Sequence, residues 1–216
     1  MADIFDEVSE ELKQDQLIQI WKKYSKHIFI LLILLILSIS SYQGYLIWNK
    51  KQLTKNSEEF FSGLEKLEIE KFEESSDIFY NNSIQQKDGY RILSIFGLAH
   101  SNFKIGRISE MVENYQLIYD DKDVGTYYKY LARMLSVMKD NKSSLEKLVD
   151  RLNPILNSPS KLQLLAAELE MILYFKFNKT EKGLAAIETL LTRSDITLEQ
   201  KNRVNLIKKV YNSHEK

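Results

Sequence analysis

Apolar and polar positions divide the chain into three parts, because one uncharged segment separates a short polar head from a long polar remainder. The segment runs from Ile28 to Trp48, and its first ten residues are apolar on all sides of a helix. About 20 such residues cross the roughly 30 Å core of a bilayer. Aromatic residues typical of membrane interfaces occur before the segment, at Trp21 and Tyr24, and at its far end, at Tyr42, Tyr45 and Trp48. The pattern predicts an N-terminal segment at 1–27, a transmembrane helix at 28–48 and a helical domain at 49–216.

A cleaved signal peptide is the alternative for the same segment, with Ser38-Ile39-Ser40 as the nearest match to a cleavage site. Signal peptides begin with a short basic region. Here the preceding 27 residues carry six acids and four bases. We therefore expect an uncleaved helix. Its direction is not set by charge, because three lysines flank each end: Lys22, Lys23 and Lys26 before it, and Lys50, Lys51 and Lys55 after it.

The head, residues 1–27, has apolar residues on one helical face: Ile4, Phe5, Val8 and Leu12. It is predicted to be a helix that leads into the transmembrane segment. Two interpretations stay open: a solvated or membrane-grazing lead, or a small docking helix for a cytoplasmic partner. Helical periodicity also continues past Lys50 to Glu70, which predicts that the membrane helix runs directly into the first helix of the domain.

The remainder repeats one helical pattern, with apolar residues at i, i+3, i+4, i+7, i+10 and i+11, at a period of about 36 residues. Copies of this helix begin at Phe72, Ile108, Leu145 and Thr180. Partner helices are predicted at Tyr90–Phe103, Tyr127–Met138 and Leu162–Phe177, and a last helix at Leu198–Tyr211. Helix pairs of this length cannot bury their apolar faces alone, so the pattern predicts an α-solenoid.

Local signals predict where these helices begin and how one of them ends. Three residue pairs have the spacing of an N-terminal capping box: Ser143 with Glu146, Asn178 with Glu181, and Thr197 with Gln200. Pro154 is expected to kink or shorten its helix near Arg151–Leu152, because proline lacks the amide hydrogen.

Composition excludes several classes of protein. The 30 acidic and 30 basic residues balance, so a basic nucleic-acid-binding surface is not expected. There is no cysteine, which excludes disulfides and thiolate metal sites. Two prolines and seven glycines are too few for the turns of an all-β fold, and we predict an all-α protein.

No catalytic constellation is evident in the sequence. The histidines, His27, His100 and His214, are scattered, and no phosphate-binding glycine loop or zinc-binding histidine pair occurs. We predict no enzymatic activity, cofactor, metal or small-molecule substrate. The candidate partner-binding residues are Tyr127, Tyr128 and Tyr130, because three aromatics within four residues cannot all point into one core. Core packing with one aromatic at the helix end is the alternative. Arg91 and Arg133 are weaker candidates on the same face.

The repeat resembles a degenerate tetratricopeptide repeat. In LAHSNFKIGRISEMVENYQLI, Ala99 matches the small residue of the first helix, Gly106 the turn glycine and Tyr115 the aromatic of the second helix. Asn102 and Met111 depart from that pattern, where an aromatic residue and alanine are usual.

The full layout, with the acidic MADIFDEVSEELKQDQL head, IWKKYSKH, one span and DRLNPIL in the repeats, resembles the bacterial membrane-anchored tetratricopeptide-like family that includes the ancillary subunit of the Sec translocon. The resemblance implies an inner-membrane protein with a cytoplasmic head and periplasmic repeats. It also implies association with the Sec translocon, periplasmic chaperones or exported proteins. A scaffold in cell-envelope organisation or division is the alternative function.

Overall fold

The computed structural model describes the backbone of residues 2–85 and 89–213, and the side chains of residues 18–84 and 89–211. Within these ranges the chain forms nine α-helices and no strand, so the predicted all-α class is confirmed. The helices are α1 (Ala2–Glu68), α2 (Phe72–Gln85), α3 (Gly89–Lys104), α4 (Ile108–Asp120), α5 (Thr126–Lys139), α6 (Leu145–Leu156), α7 (Gln163–Lys176), α8 (Thr180–Leu191) and α9 (Leu198–Ser213). The predicted partner helices agree with α3, α5 and α7, and the predicted last helix with α9, apart from small differences at the ends.

The chain divides into two compact units, Met1–Lys55 and Asn56–Lys216. In the first unit, every described side chain from Ile18 onward is exposed except the half-buried Ser25. This part of α1 is long and apolar enough to cross a membrane. Ser38 donates its hydroxyl proton to the Leu34 carbonyl at 2.8 Å, so this serine is satisfied within the helix. As predicted, α1 continues past Lys50 without a break.

In the second unit, α2 to α9 pack mainly on the helices that precede and follow them in the chain. Three apolar cores result, between α3, α4 and α5, between α5, α6 and α7, and between α7, α8 and α9. The apolar positions that the periodicity assigned to these cores are buried, including Tyr115, Leu148, Leu152 and Ile187, each at most 1% exposed. The fold is therefore all-α and helical-repeat-like.

Three turns between paired helices share one backbone geometry. Glu70, Gly106 and Asn178 have φ of 59°, 81° and 56°, and they stand at whole multiples of the repeat period from one another. In the third turn, Lys179 N donates to Tyr174 O at 2.8 Å and Asn178 N to Phe175 O at 3.0 Å, which is a Schellman C-cap. The turns after α1 and α3 have the same pair of bonds. The repeat is thus present in the backbone even where the residues at the turn differ.

A polar layer joins the last part of α1, which belongs to the second unit, to α2 and α3. Ser75 donates its hydroxyl proton to Gly63 O at 3.0 Å and also lies 3.0 Å from the Ser101 hydroxyl. Ser76 donates to Oδ1 of Asn102 at 3.2 Å. Asn102 is only 4% exposed, so the position where the tetratricopeptide pattern has an aromatic residue holds a buried amide instead.

Two predicted caps are wrong, and one is confirmed. The N-cap of α6 is Ser144, not Ser143, because Ser144 Oγ accepts from Lys147 N at 3.5 Å. Asn178 does not cap α8, because its left-handed backbone ends α7. Thr197 does cap α9: its Oγ1 accepts from Gln200 N, and Gln200 Oε1 accepts from Thr197 N, both at 3.2 Å.

The shortening expected of Pro154 near Arg151–Leu152 is not observed, because α6 continues to Leu156. The proline lies in the last turn, where its missing amide hydrogen removes only one bond from the end of the helix.

Candidate interaction surface

The three candidate tyrosines begin α5, and the structure separates them. Tyr127 and Tyr128 are 60% and 47% exposed, with their ring centroids 5.7 Å apart in an edge-to-face arrangement. Tyr130 packs against the core between α5, α6 and α7. Successive helical positions differ by about 100°, so three aromatics within four residues cannot share one face. Tyr127 and Tyr128 therefore form an exposed aromatic pair, and Tyr130 is a half-buried residue that packs against the core.

Tyr128 lines an open cavity of about 420 Å³ between the start of α3 and the loop that leads into α5. The cavity lining is largely apolar and includes Ile92, Leu93 and Val124. Leu93 is 41% exposed, so an apolar strip continues from the cavity onto the surface of α3. A cavity beside an exposed aromatic pair is suited to receive an apolar side chain of a partner.

A second cavity, of about 470 Å³, lies between the start of α7 and the loop that leads into α9. Six of its lining positions stand two repeat periods after positions that line the first cavity. The pairs are Gly89 and Lys161, Ile92 and Leu164, Leu93 and Leu165, Asp123 and Asp195, Gly125 and Thr197, and Tyr128 and Gln200. The two cavities are therefore repeat equivalents, one at the N-terminal ends of α3 and α5 and the other at those of α7 and α9.

The polar rims of the two cavities are also equivalent. At the first, Arg91 forms an ion pair with Asp121, which also accepts a hydrogen bond from Asp123 N at 2.9 Å. These bonds, the one from Asp123 N foremost, hold the pKa of Asp121 below its usual value. At the second, Arg193 in the loop donates to Oε1 of Gln163 at 2.9 Å, and these two residues are the repeat equivalents of Asp121 and Arg91. A side-chain contact between helix and loop is therefore present at both cavities. The donating arginine lies on the helix at the first cavity and in the loop at the second.

The two candidate arginines are in different places. Arg91 lines the first cavity together with Tyr128. Arg133 instead lies over the ring of Tyr119, with its guanidinium carbon 4.1 Å from the ring centroid, a cation–π contact within the second unit. Of the two, only Arg91 adjoins the candidate surface.

Sequence reasoning missed both cavities, although their signal is present in the sequence. Ile92-Leu93 and Leu164-Leu165 are apolar pairs two repeat periods apart, and Asp123 and Asp195 have the same separation. These positions fall outside the apolar set that defines the repeat, so a search for core periodicity passes over them.

The histidines do not form a joint site in the described part of the chain. His27 lies in α1 and His100 in α3, while His214 is outside the described residues. No group of three potential metal-ligating side chains occurs among the residues whose side chains the structure describes.

Comparison with known proteins gives no family assignment: no protein-family model matches the chain, and no curated protein matches it significantly.

Proposed function

We propose that the protein is a membrane-anchored protein-interaction module, in which residues 28–48 span the bilayer and the second unit is a solenoid of tetratricopeptide-like helix pairs. The observation that carries the proposal is the exposed pair Tyr127–Tyr128 beside one of two repeat-equivalent cavities. The surface would bind a protein partner, and the anchor would keep the complex at the membrane.

The anchor is supported by the exposure of the uncharged segment. Large apolar side chains along its whole length are 40–68% exposed, from Ile28 at 40% to Ile47 at 68%. An exposed apolar surface of this size is unfavourable in water and favourable in a bilayer. The absence of charge over 28–48 supports the same interpretation.

The solenoid is supported by packing between chain neighbours and by the turns that recur with the repeat period. The environments of the three residues that carry the tetratricopeptide resemblance also support the solenoid. Ala99 is fully buried, Gly106 has the positive φ of a helix-ending glycine, and Tyr115 is 1% exposed. A buried small residue, a helix-ending glycine and a buried aromatic are what packing between paired helices requires.

In its narrow form, the proposal makes the protein an ancillary component of the Sec translocon and the periplasmic chaperone network in the bacterial inner membrane. The head would be cytoplasmic and the repeats periplasmic. This part rests on the family resemblance of the whole layout. Accessibility of Lys201 and Lys208 to protease added outside spheroplasts tests the topology; protection in intact spheroplasts with cleavage after lysis would contradict it.

Co-purification tests the interaction surface. The full chain is extracted from membranes in mild detergent, and bound proteins are compared between wild type, Tyr128→Ala and Tyr80→Ala. Tyr80 is a matched control, because it is also a helical tyrosine and is 55% exposed, but it lies on α2. We expect Tyr128→Ala to weaken partner recovery about tenfold, as loss of an interface aromatic does, and Tyr80→Ala to have little effect.

Two results would contradict the proposal. Equal partner recovery with Tyr128→Ala and Tyr80→Ala would contradict a role of the Tyr127–Tyr128 surface in binding. Absence of translocon subunits and chaperones from the wild-type sample would contradict the proposed association with the Sec translocon. Concentration of the protein at division sites, in place of uniform membrane staining, would favour the cell-envelope scaffold instead.

A further inference from the structure

Two lysines and a histidine lie where α3 and α5 end, away from the N-terminal ends of these helices, where Tyr127 and Tyr128 lie. Lys139, the last residue of α5, places its Nζ 2.8 Å from Nδ1 of His100 on α3. Lys104 follows His100 by four positions, so both project from one face of α3. The three groups come from two helices that α4 and its flanking loops separate in the chain.

This cluster differs from two arginines of the second unit, which have carboxylate partners. Arg91 pairs with Asp121, and Arg151 pairs with Asp140 at 2.8 Å. Among the described residues, neither Lys104 nor Lys139 forms an ion pair, and Lys139 meets an imidazole nitrogen instead. An ammonium group requires an acceptor, so His100 must present the unprotonated Nδ1 to it.

Aromatic rings border both ammonium groups. Lys139 Nζ lies 4.8 Å from the centroid of Phe103, and Lys104 Nζ lies 5.6 Å from the centroid of Phe72. Burial, followed by the charge of Lys104, lowers the pKa of Lys139. Burial, followed by the charges of Lys139 and Lys104, lowers the pKa of His100. The cluster thus holds positive charge that nothing in the described structure neutralises.

The end of α3 does not use these ammonium groups as caps. Its last carbonyls already accept backbone hydrogen bonds: Ser101 O from Ile105 N, Asn102 O from Arg107 N, and Phe103 O from Gly106 N. Neither lysine donates to a carbonyl oxygen in the part of the chain that the structure describes. The protons of Lys104, and those of Lys139 that are not directed at His100 Nδ1, are therefore available to an incoming acceptor.

We propose that His100, Lys104 and Lys139 form an anion-binding site for a phosphate group, either inorganic phosphate or a phosphate monoester. Two ammonium charges match a dianion, and three nitrogen donors match the three free oxygens of a monoester. A carboxylate offers only two oxygens in one plane and half the charge. When Nδ1 of His100 accepts from Lys139, the ring hydrogen is on Nε2, so neutral His100 can donate to the anion from Nε2. The negative charge of the bound anion would also raise the pKa of His100.

The test uses the full chain in detergent micelles, with histidine labelled for side-chain NMR. The protein has three histidines, so His27 and His214 serve as internal references and His100→Gln assigns the third signal. Inorganic phosphate is titrated into a phosphate-free buffer. We expect saturable movement of the His100 signal alone, together with a rise in the pKa of His100.

Lysine variants connect the signal to the proposed geometry. Lys104→Gln and Lys139→Gln should each weaken phosphate binding by about tenfold or more, the effect of losing one charged hydrogen bond. Lys176→Gln is the matched control, because Lys176 is an exposed lysine in the last turn of α7. It should leave phosphate binding unchanged.

Two further titrations, followed by the same His100 signal, identify the source of the phosphate. Glycerol 3-phosphate represents a soluble monoester, and nanodiscs that contain phosphatidic acid, compared with phosphatidylcholine alone, represent a lipid headgroup. The proposal is overturned if phosphate leaves the His100 signal unmoved, or if it moves the signals of all histidines equally. It is also overturned if a glutamate-rich peptide moves the His100 signal and phosphate does not, because the site would then bind protein carboxylates.

Discussion

Replacement of Gly97 by alanine probes how tightly α1, α2 and α3 are packed. Phe79 on α2 is fully buried, and two glycines border opposite edges of its ring. A Cβ atom at Gly97 would lie 2.6 Å from Cε2 of Phe79, and one at Gly63 would lie 2.7 Å from Cε1. The ring cannot move away from Gly97 without approaching Gly63, so an added methyl group has no room.

Two opposing terms set the magnitude. Alanine is favoured over glycine in a helix by about 1 kcal/mol. Overpacking a filled core costs about 1–3 kcal/mol, and we expect the upper part of that range because the ring is confined on both edges. The net result is a free energy of unfolding lowered by about 1–2 kcal/mol. For a unit of this size, the melting temperature should fall by roughly 2–8 °C.

The assay is thermal unfolding of the full chain in detergent, followed by circular dichroism of the helices. Gly89→Ala is the control in the same helix, because a Cβ at Gly89 would meet no atom within 4 Å. Phe79→Leu should reduce the cost of Gly97→Ala, since the smaller side chain relieves the contact and the two sites are coupled. If Gly97→Ala melts at or above wild type while Gly89→Ala has no effect, the packing argument is refuted.

Three further predictions concern the core and the pH dependence of stability. Leu152→Asp should abolish cooperative melting, because it buries an unpaired charge at a fully buried position; retained melting would contradict the assigned helix face. Burial alone would raise the pKa of Asp140, but hydrogen bonds from Ser143, from the Lys142 amide and from Arg151 lower it from 3.8 to about 2. Its stabilising effect should be full above about pH 4 and lost as the pH falls towards about 2, and Asp140→Asn should remove this dependence in urea melts at stepped pH. The lowered pKa of His100 means that the unfolded chain binds the proton more readily, so stability should fall as the pH drops below the ordinary value of 6.5, and a His100→Gln variant should be flatter there than wild type.

The sequence predicted the helices well and the turns less well, for a physical reason. Burial of one helix face sets the spacing of apolar residues over about a dozen positions. A polar residue at one of these positions therefore does not prevent the prediction of α3 to α9. A cap depends on the backbone of one residue. Ser143 and Ser144 are equally good capping residues, and only the loop geometry selects Ser144. Likewise Asn178 suits an N-cap and a left-handed C-terminal position alike.

The candidate surface was predictable only in part. Three clustered tyrosines indicated that at least one is exposed, but the sequence did not say which. The structure separates Tyr130 from Tyr127 and Tyr128 because α5 meets α6 and α7 on only one side. Each cavity forms where the start of one helix meets a loop about 30 residues later in the chain. A pattern of neighbouring residues in the sequence does not predict such a contact. The contact between His100 and Lys139 has the same origin, since the residues are 39 positions apart.

Packing between chain neighbours has a consequence for how the second unit comes apart. A helix at the end of such a row has a neighbour on one side only, so α9 can detach at the cost of its contacts with α7 and α8 alone. The helices would then unfold one after another from the C-terminal end, and α2 to α5 would still be folded when α9 has unfolded. Limited proteolysis during mild heating should accordingly yield a ladder of C-terminally shortened fragments, while hydrogen exchange at the amides of α4 remains slow.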